Sequence, residues 1–215
     1  MALRIVLADD HRMFRNALRA LLEKESGIEV VAEASDGLEL LAILEEQPVD
    51  LVCMDIGMPN MNGVDATRQL LARWPYTKVI GLSAYSDRQF VMDLLNAGAH
   101  GYVTKAEASE ELLRAIDVVC KGRTYLCPDV AATVTSALMS DSGLHTAQPQ
   151  LTRRERQVLQ RIAEGQTSAD IAVQLQVAAS TVEVHRRNLM RKLGLHNIAD
   201  LTRYAIRHGI SSDEL

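Results

Sequence analysis

The chain has 215 residues, an apolar fraction of 47% and a formal net charge of −5. That length bounds it to one or two domains, and the apolar fraction supplies an ordinary globular core. No stretch reaches the ~18 apolar residues of a membrane span, and three cysteines without metal-ligand spacing argue for free or buried thiols rather than a disulfide framework.

The first strand-like run lies near 3–8 and contains Ile5-Val6-Leu7-Ala8. Asp9 and Asp10 follow at once, interrupting the N-terminus before a basic and then an apolar segment can form a leader, so a cytoplasmic protein is expected. A helical pattern near 11–23 comes next, with Leu18, Leu21 and Leu22 at three-and-four spacing. Strand-like runs recur near 28–34, 50–54, 77–83 and 100–104, and helical patterns near 36–46, 61–73, 87–96 and 108–122. Strands alternating with single helices predict right-handed βαβ units. Residues 1–125 should therefore form a five-stranded, parallel, doubly wound sheet of the flavodoxin-like size class. A helix from Val130 to Met139 then leads into a polar, turn-rich stretch from Ser140-Asp141-Ser142-Gly143 to Gln148-Pro149-Gln150, so residues 126–150 read as helix and linker.

Four of the apolar runs end on residues that carry chemistry. Asp9 and Asp10 follow the first, Asp55 follows Leu51-Val52-Cys53-Met54, Ser83 follows Val79-Ile80-Gly81-Leu82, and Lys105 follows Gly101-Tyr102-Val103-Thr104. Strand C-termini of such a sheet line one edge, where ligands bind. All but Asp55 also have a plainer reading: Asp9-Asp10 as a helix cap, Ser83 as a turn residue, Lys105 as a solvated charge. Together, three carboxylates, a hydroxyl and an ammonium suit a divalent cation and a phosphoryl group. Hard cations such as Mg²⁺ take oxygen ligands. With that charge present, Asp55 stays ionised as a nucleophile toward phosphorus, while Lys105 and Ser83 face the equatorial oxygens.

The charge is unevenly spread: residues 1–139 carry −7 and residues 151–212 carry +5. In the basic part every periodic segment is helical, at about 153–164, 168–175, 179–193 and 197–208. Thr152 and Glu155 form a capping-box pair, Gly165 suits the end of that helix, and Thr167 or Ser168 caps the next. Its buried face is Ile171, Ala172 and Leu175. The longer helix begins at Ser180-Thr181 and ends at Gly194; Val182, His185, Leu189 and Leu193 share one face, and Glu183, Arg187 and Arg191 another. Two helices joined by a tight turn, the second with a basic face, describe a helix-turn-helix; a small bundle with a charged solvent face satisfies the same pattern.

On these motifs residues 1–125 resemble the receiver domain of bacterial two-component response regulators. The resemblance rests on Ala8-Asp9-Asp10-His11, Met54-Asp55-Ile56-Gly57-Met58-Pro59 with Gly63, Leu82-Ser83-Ala84, and Gly98-Ala99-His100-Gly101-Tyr102 leading to Lys105. It implies Asp55 as phosphoacceptor, and Asp9, Asp10, Asp55 and the Gly57 carbonyl as ligands of Mg²⁺. It implies Ser83, Ala84 and Lys105 as phosphoryl contacts and Tyr102 as an aromatic switch that follows the Ser83 hydroxyl. Two positions depart from the pattern: Gly57 brings no side chain to the phosphoryl site, and Ala106 stands where proline is common.

Residues 151–210 resemble the LuxR-type DNA-binding domain, through Leu151-Thr152-Arg153-Arg154-Glu155-Arg156-Gln157-Val158-Leu159, Ile162-Ala163-Glu164-Gly165, Asp170-Ile171-Ala172, Ser180-Thr181-Val182-Glu183-Val184-His185-Arg186 and Asn188-Leu189-Met190-Arg191-Lys192-Leu193. The order of parts is that of the NarL/FixJ type. The resemblance implies a recognition helix over about 180–193, with Glu183, Val184 and Arg187 toward base edges and Thr181, Arg186, Arg191 and Lys192 on phosphates. Ser168-Ala169 stand where relatives often carry Asn-Lys. The last helix, with Leu201, Tyr204 and Ala205, resembles the family's dimerisation helix. The expectation is a DNA-binding regulator switched by a phosphoryl group from a sensor histidine kinase. It would dimerise when phosphorylated, on double-stranded DNA with paired half-sites, away from any membrane. An aspartyl-phosphate phosphohydrolase and a phosphorylation-independent regulator or adaptor share parts of the pattern; Gly57, where a hydrolase carries a second Asp, argues against the first.

Overall fold

Six parallel strands, in the order β2-β1-β3-β4-β5-β6, make the sheet of the first part of the chain. They are β1 (Leu3–Ala8), β2 (Ile28–Ala34), β3 (Leu51–Asp55), β4 (Lys78–Ser83), β5 (Gly101–Thr104) and β6 (Tyr125–Leu126). This computed structural model describes residues 2–84, 88–140, 151–195, 197–208 and 210–211. The chain separates into two compact units, 1–142 and 143–215.

The expected strand count of five is corrected to six. β6 is two residues long and carries no strand-length apolar run, so periodicity misses it. Two backbone bonds beside the short β5–β6 ladder extend the pairing, Tyr125 N to the His100 carbonyl (3.1 Å) and Cys127 N to the Tyr102 carbonyl (3.0 Å). The helix that follows, α6 (Pro128–Ser140), packs on β5 and on α4 (Arg88–Asn96), with Cys127 and Val130 buried. The polar run 141–150 lies outside the described residues.

Apolar residues fill both faces of the sheet, as strands covered on both sides require. On one face, α1 (Arg12–Leu22) and α5 (Ala108–Cys120) bring Leu18, Leu22, Leu112, Ile116 and Val119 onto Ile5, Leu7, Leu51 and Ile80. On the other lie α2 (Gly37–Glu46), α3 (Gly63–Arg73) and α4.

Helix starts steer the strand-edge loops. Asp36 caps α2 through the amides of Leu38 and Glu39, and its second oxygen accepts from Asn60 Nδ2 at 2.7 Å. Asn62 caps α3 through the amide of Asp65. Gly63 passes so close to the end of β3 that a Cβ built there would lie 2.0 Å from the Asp55 carbonyl oxygen, while its amide donates to the Ile56 carbonyl at 2.9 Å. A side chain cannot fit there.

The second unit is helical: α7 (Arg153–Ala163), α8 (Ser168–Gln174), α9 (Ala179–Leu193) and α10 (Ile198–Arg207). The expected capping box is present, Thr152 N donating to Glu155 Oε2 at 2.8 Å and Glu155 N to Thr152 Oγ1 at 3.2 Å. Val158, Leu159, Ile162, Ile171, Val182, Leu189, Leu201 and Ala205 form the core; each buried Leu, Ile or Val stabilises by about 1.5–3 kcal/mol. The turn between α8 and α9 runs through Gln176 at φ 53°, with Val177 N donating to the Ala172 carbonyl and Arg154 Nη2 to the Leu175 carbonyl at 2.7 Å. Gly194, at φ 65°, ends α9 in the left-handed region that favours glycine. Among the described residues no helix is long and apolar enough to cross a membrane.

Candidate functional site

The C-terminal edge of the sheet gathers the charged residues named above. β1 ends at Ala8, so Asp9 and Asp10 fall on the strand edge; Asp9 N donates back to the Ala34 carbonyl of β2 at 3.0 Å. β3 ends on Asp55, and the chain after β5 carries Lys105 across to it. The Lys105 Nζ lies 2.7 Å from Asp9 Oδ2 and 2.9 Å from Asp55 Oδ2, and one ammonium bridges two buried carboxylates. The other oxygen of Asp55 accepts from the amide of Ile56 (2.7 Å) and, more loosely, from that of Gly57 (3.4 Å). Asp9 Oδ1 accepts from the amide of His11 at 2.8 Å.

The electrostatics are those of a crowded, dehydrated site. Asp9 and Asp55 are 1% and 4% exposed. Burial first, then the charge of Asp9, push the Asp55 carboxyl above the usual range, against the pull of Lys105. Burial alone would lower the Lys105 ammonium, but Asp55 and Asp9 together hold it above its ordinary value. Asp9, Asp10, His11 and Asp55 each offer a ligand atom within 4.8 Å of the others. Asp9 Oδ2 and Asp10 Oδ1 are buried, and neither accepts a hydrogen bond of sound geometry. Their near neighbours are Lys105 Nζ at 2.7 Å and His11 Nδ1 at 2.7 Å. Buried carboxylate oxygens short of donors on Asp9 and Asp10, beside the carboxylate of Asp55, fit a hard divalent cation.

The remaining expected residues lie close by or in support. Ser83 ends β4 and is buried, and its carbonyl accepts from Lys105 N at 2.7 Å. Ala84 follows it and is exposed. Tyr102 lies fully buried in β5, paired with Gly81 of β4. Three supporting residues went unread in the sequence. Phe14 places its ring 5.0 Å from Lys105 Nζ, in cation–π range. Arg15 donates to the Asp9 carbonyl and pairs with Glu33 at 3.0 Å. His11 joins the acidic cluster. Phe14 and Arg15 stand four and five residues after Asp10, in the first turn of α1, which is the signal that could have singled them out.

The second site is α9. Thr181, Glu183, Val184, Arg187 and Arg191 are exposed, opposite buried Val182 and Leu189; His185, expected on the packed face, is half-buried. The bases are not equally available. Arg187 Nε makes a long contact with the Glu183 carbonyl (3.4 Å) and Arg191 bonds Asn188 at 3.0 Å, both exposed. Lys192 pairs with buried Glu155 at 2.7 Å, tying α9 to the α7 capping box; Lys192 and Thr152 hold that carboxyl below its usual range despite burial. Arg186 and Glu183 pair at 3.1 Å, and Ser168 on α8 bonds both. On α10, Leu201 and Ala205 are buried within the unit, and the Tyr204 ring lies 4.0 Å from that of His208.

Residues 5–117 match the model of the response regulator receiver domain, and residues 149–205 that of the bacterial regulatory proteins of the luxR family. The oxygen regulatory protein NreC of Staphylococcus aureus (strain bovine RF122 / ET3-1) is 35% identical over 211 residues, spanning 95% of this chain and 97% of its own. The response regulator UvrY of Escherichia coli (strain K12) is 33% identical over 210 residues, spanning 98% and 96%. In fold, RcsB from Salmonella enterica serovar Typhimurium, solved bound to promoter rprA in the presence of phosphomimetic BeF3-, aligns with a TM-score of 0.72 at 23% identity, over 95% of this chain and 98% of its own.

Proposed function

The chain belongs to the two-component response regulators of the NarL/FixJ type, a receiver domain followed by a LuxR-type DNA-binding domain, and from that premise we propose that phosphorylation of Asp55 by a sensor histidine kinase switches its dimerisation and DNA binding. The observation that carries the reading is the buried bridge of Lys105 between Asp9 and Asp55. Residues 1–125 act as the regulated part, 151–212 as the output, and 126–150 as the connection.

Asp9, Asp10, Asp55 and the Gly57 carbonyl would hold Mg²⁺, which supplies positive charge against the carboxylates and the incoming phosphoryl oxygens. The Asp55 carboxylate attacks phosphorus; a P–O bond forms to Asp55 as the P–N bond to the kinase histidine breaks, and the histidine nitrogen keeps the electron pair. The amides of Ile56 and Gly57 fix one Asp55 oxygen, leaving the other toward Lys105. Lys105 then exchanges a carboxylate partner for a phosphoryl oxygen, and the Ser83 hydroxyl and the Ala84 backbone contact another. Movement of Ser83 draws Tyr102 with it and biases the surface around β4, β5 and their helices between two states. Gly57 offers no second carboxylate for acid/base work, so the aspartyl phosphate serves as a signal rather than a turnover intermediate.

On α9, Val184 and Arg187 face base edges, and Thr181, Arg186, Arg191 and Lys192 contact phosphates of two half-sites in the cytoplasm. Acetyl phosphate with Mg²⁺ should tighten binding of the full-length protein to a selected DNA site. Asp55→Asn should abolish that dependence, and an unchanged response in the variant would refute the mechanism.

A further inference from the structure

We propose that Ser168 sets the DNA sequence preference of this protein by holding the Glu183 carboxylate away from the bases. The inference rests on the DNA-binding reading of α9 and adds a residue of the preceding helix to it. Ser168 opens α8, and its hydroxyl donates to Glu183 Oε1 in a short hydrogen bond. The same oxygen of Ser168 accepts from Arg186 Nη1 at 2.7 Å, and Arg186 Nη1 lies 3.1 Å from Glu183 Oε1. The three groups close a triangle between the start of α8 and the second turn of α9. The hydrogen bond from Ser168, and then Arg186, hold the Glu183 carboxyl below its usual range, as expected of an engaged anion.

A glutamate on a recognition helix reads DNA by accepting from the exocyclic amine of cytosine. From this position Glu183 would have to surrender a hydroxyl donor and a guanidinium while approaching phosphates of its own charge. Its neighbours carry no such restraint. Val184 is 44% exposed and suits a thymine methyl, and Arg187 stands in solvent one turn further on and suits guanine. Ser168 is thus a positioning residue: it touches no base and acts through Glu183. An alanine at 168 leaves Arg186 as the remaining local partner and releases the carboxylate to the groove.

The test is selection from a random duplex pool with full-length protein treated with acetyl phosphate and Mg²⁺. Ser168→Ala should gain a preference for cytosine at one position of each half-site, about tenfold over the wild type. The double variant S168A/E183A should lose that gain. Ser168→Thr keeps the hydroxyl and should select the wild-type motif. An unchanged motif for Ser168→Ala, or a wild-type cytosine preference erased by Glu183→Ala alone, would overturn the inference and leave the DNA-binding reading intact. A wild type that enriches no motif would overturn both. Should Ser168→Ala fail to fold by circular dichroism, Ser168→Gly, which also lacks the hydroxyl, takes its place with the same two outcomes.

Discussion

The strand-edge pocket and the face of α9 are both charged, and they keep their charges in opposite ways. In the pocket, Asp9 and Asp55 are buried and share a single ammonium, Lys105, at 2.7–2.9 Å, which leaves one negative charge unmatched. On α9, Arg187 and Arg191 lie in solvent, against weak local partners. A dehydrated charge is costly unless matched, so any added charge in the pocket forces its partners to rearrange. A hydrated charge waits for a polyanion and changes little when it arrives. On the proposed function, that difference fits the first region to a state that is written and erased, and the second to a standing affinity. Two lysines mark the exception. Lys105 and Lys192 both pair with buried carboxylates, yet one faces a site of chemistry and the other holds α9 on α7.

The comparison can be broken most forcefully at Lys105. Lys105→Ala leaves Asp9 and Asp55 buried without their ammonium and should cost about 3–5 kcal/mol of stability in the first unit, by chemical denaturation at neutral pH without Mg²⁺. The loss should shrink on acidification. Asp55 has a raised carboxyl, so the folded state holds its proton more tightly than the unfolded chain does. That contribution is present below the ordinary value of 3.8 and is lost as pH rises through the raised one. A loss independent of pH would mean that packing, not charge, is what Lys105 supplies.

Mg²⁺ should act next in size, and on one region alone. At a hundredfold excess over Kd it should stabilise the first unit by about 2.7 kcal/mol and leave the helical unit unmoved. Asp9→Asn or Asp10→Asn should remove the effect in differential scanning calorimetry. Stabilisation that survives either change would place the ion elsewhere.

The smallest effects should separate the cations of α9. Arg187→Ala should weaken binding to a selected site by about 1–3 kcal/mol without lowering the melting point of the helical unit. Lys192→Ala should instead destabilise that unit by about 1 kcal/mol, as loss of a partly exposed pair to Glu155 implies. Reversed outcomes would make Lys192 the base reader and Arg187 the residue that holds the unit together.

Most of the fold was legible because its strands are buried on both faces and end in polar residues. β1, β2 and α9 begin and end where the periodicity put them, and the caps at Thr152 and Gly194 lie where sequence chemistry asks for them. β6 was not legible, since two residues set no period and their pairing depends on His100 and Tyr102 more than twenty residues earlier. The pocket residues were readable by type and place. What was not readable was partnership: Phe14 over Lys105, Lys192 against Glu155, and Ser168 between Glu183 and Arg186 each join residues many positions apart. Local spacing says which side chains share a helix face, not which distant group will meet them.

The close passage of Gly63 over Asp55 carries a lesson for engineering. Replacing a helix-start glycine by alanine is a routine way to gain thermostability, commonly about 0.4–1 kcal/mol through the unfolded chain. At position 63 the added methyl would strike the carbonyl of Asp55. A rule based on helix propensity alone would rank the change as harmless, yet a methyl 2.0 Å from a backbone oxygen must push β3 or α3 aside and lower the melting point. The substitution would move Asp55 itself, so a library designed for robustness should hold this position fixed.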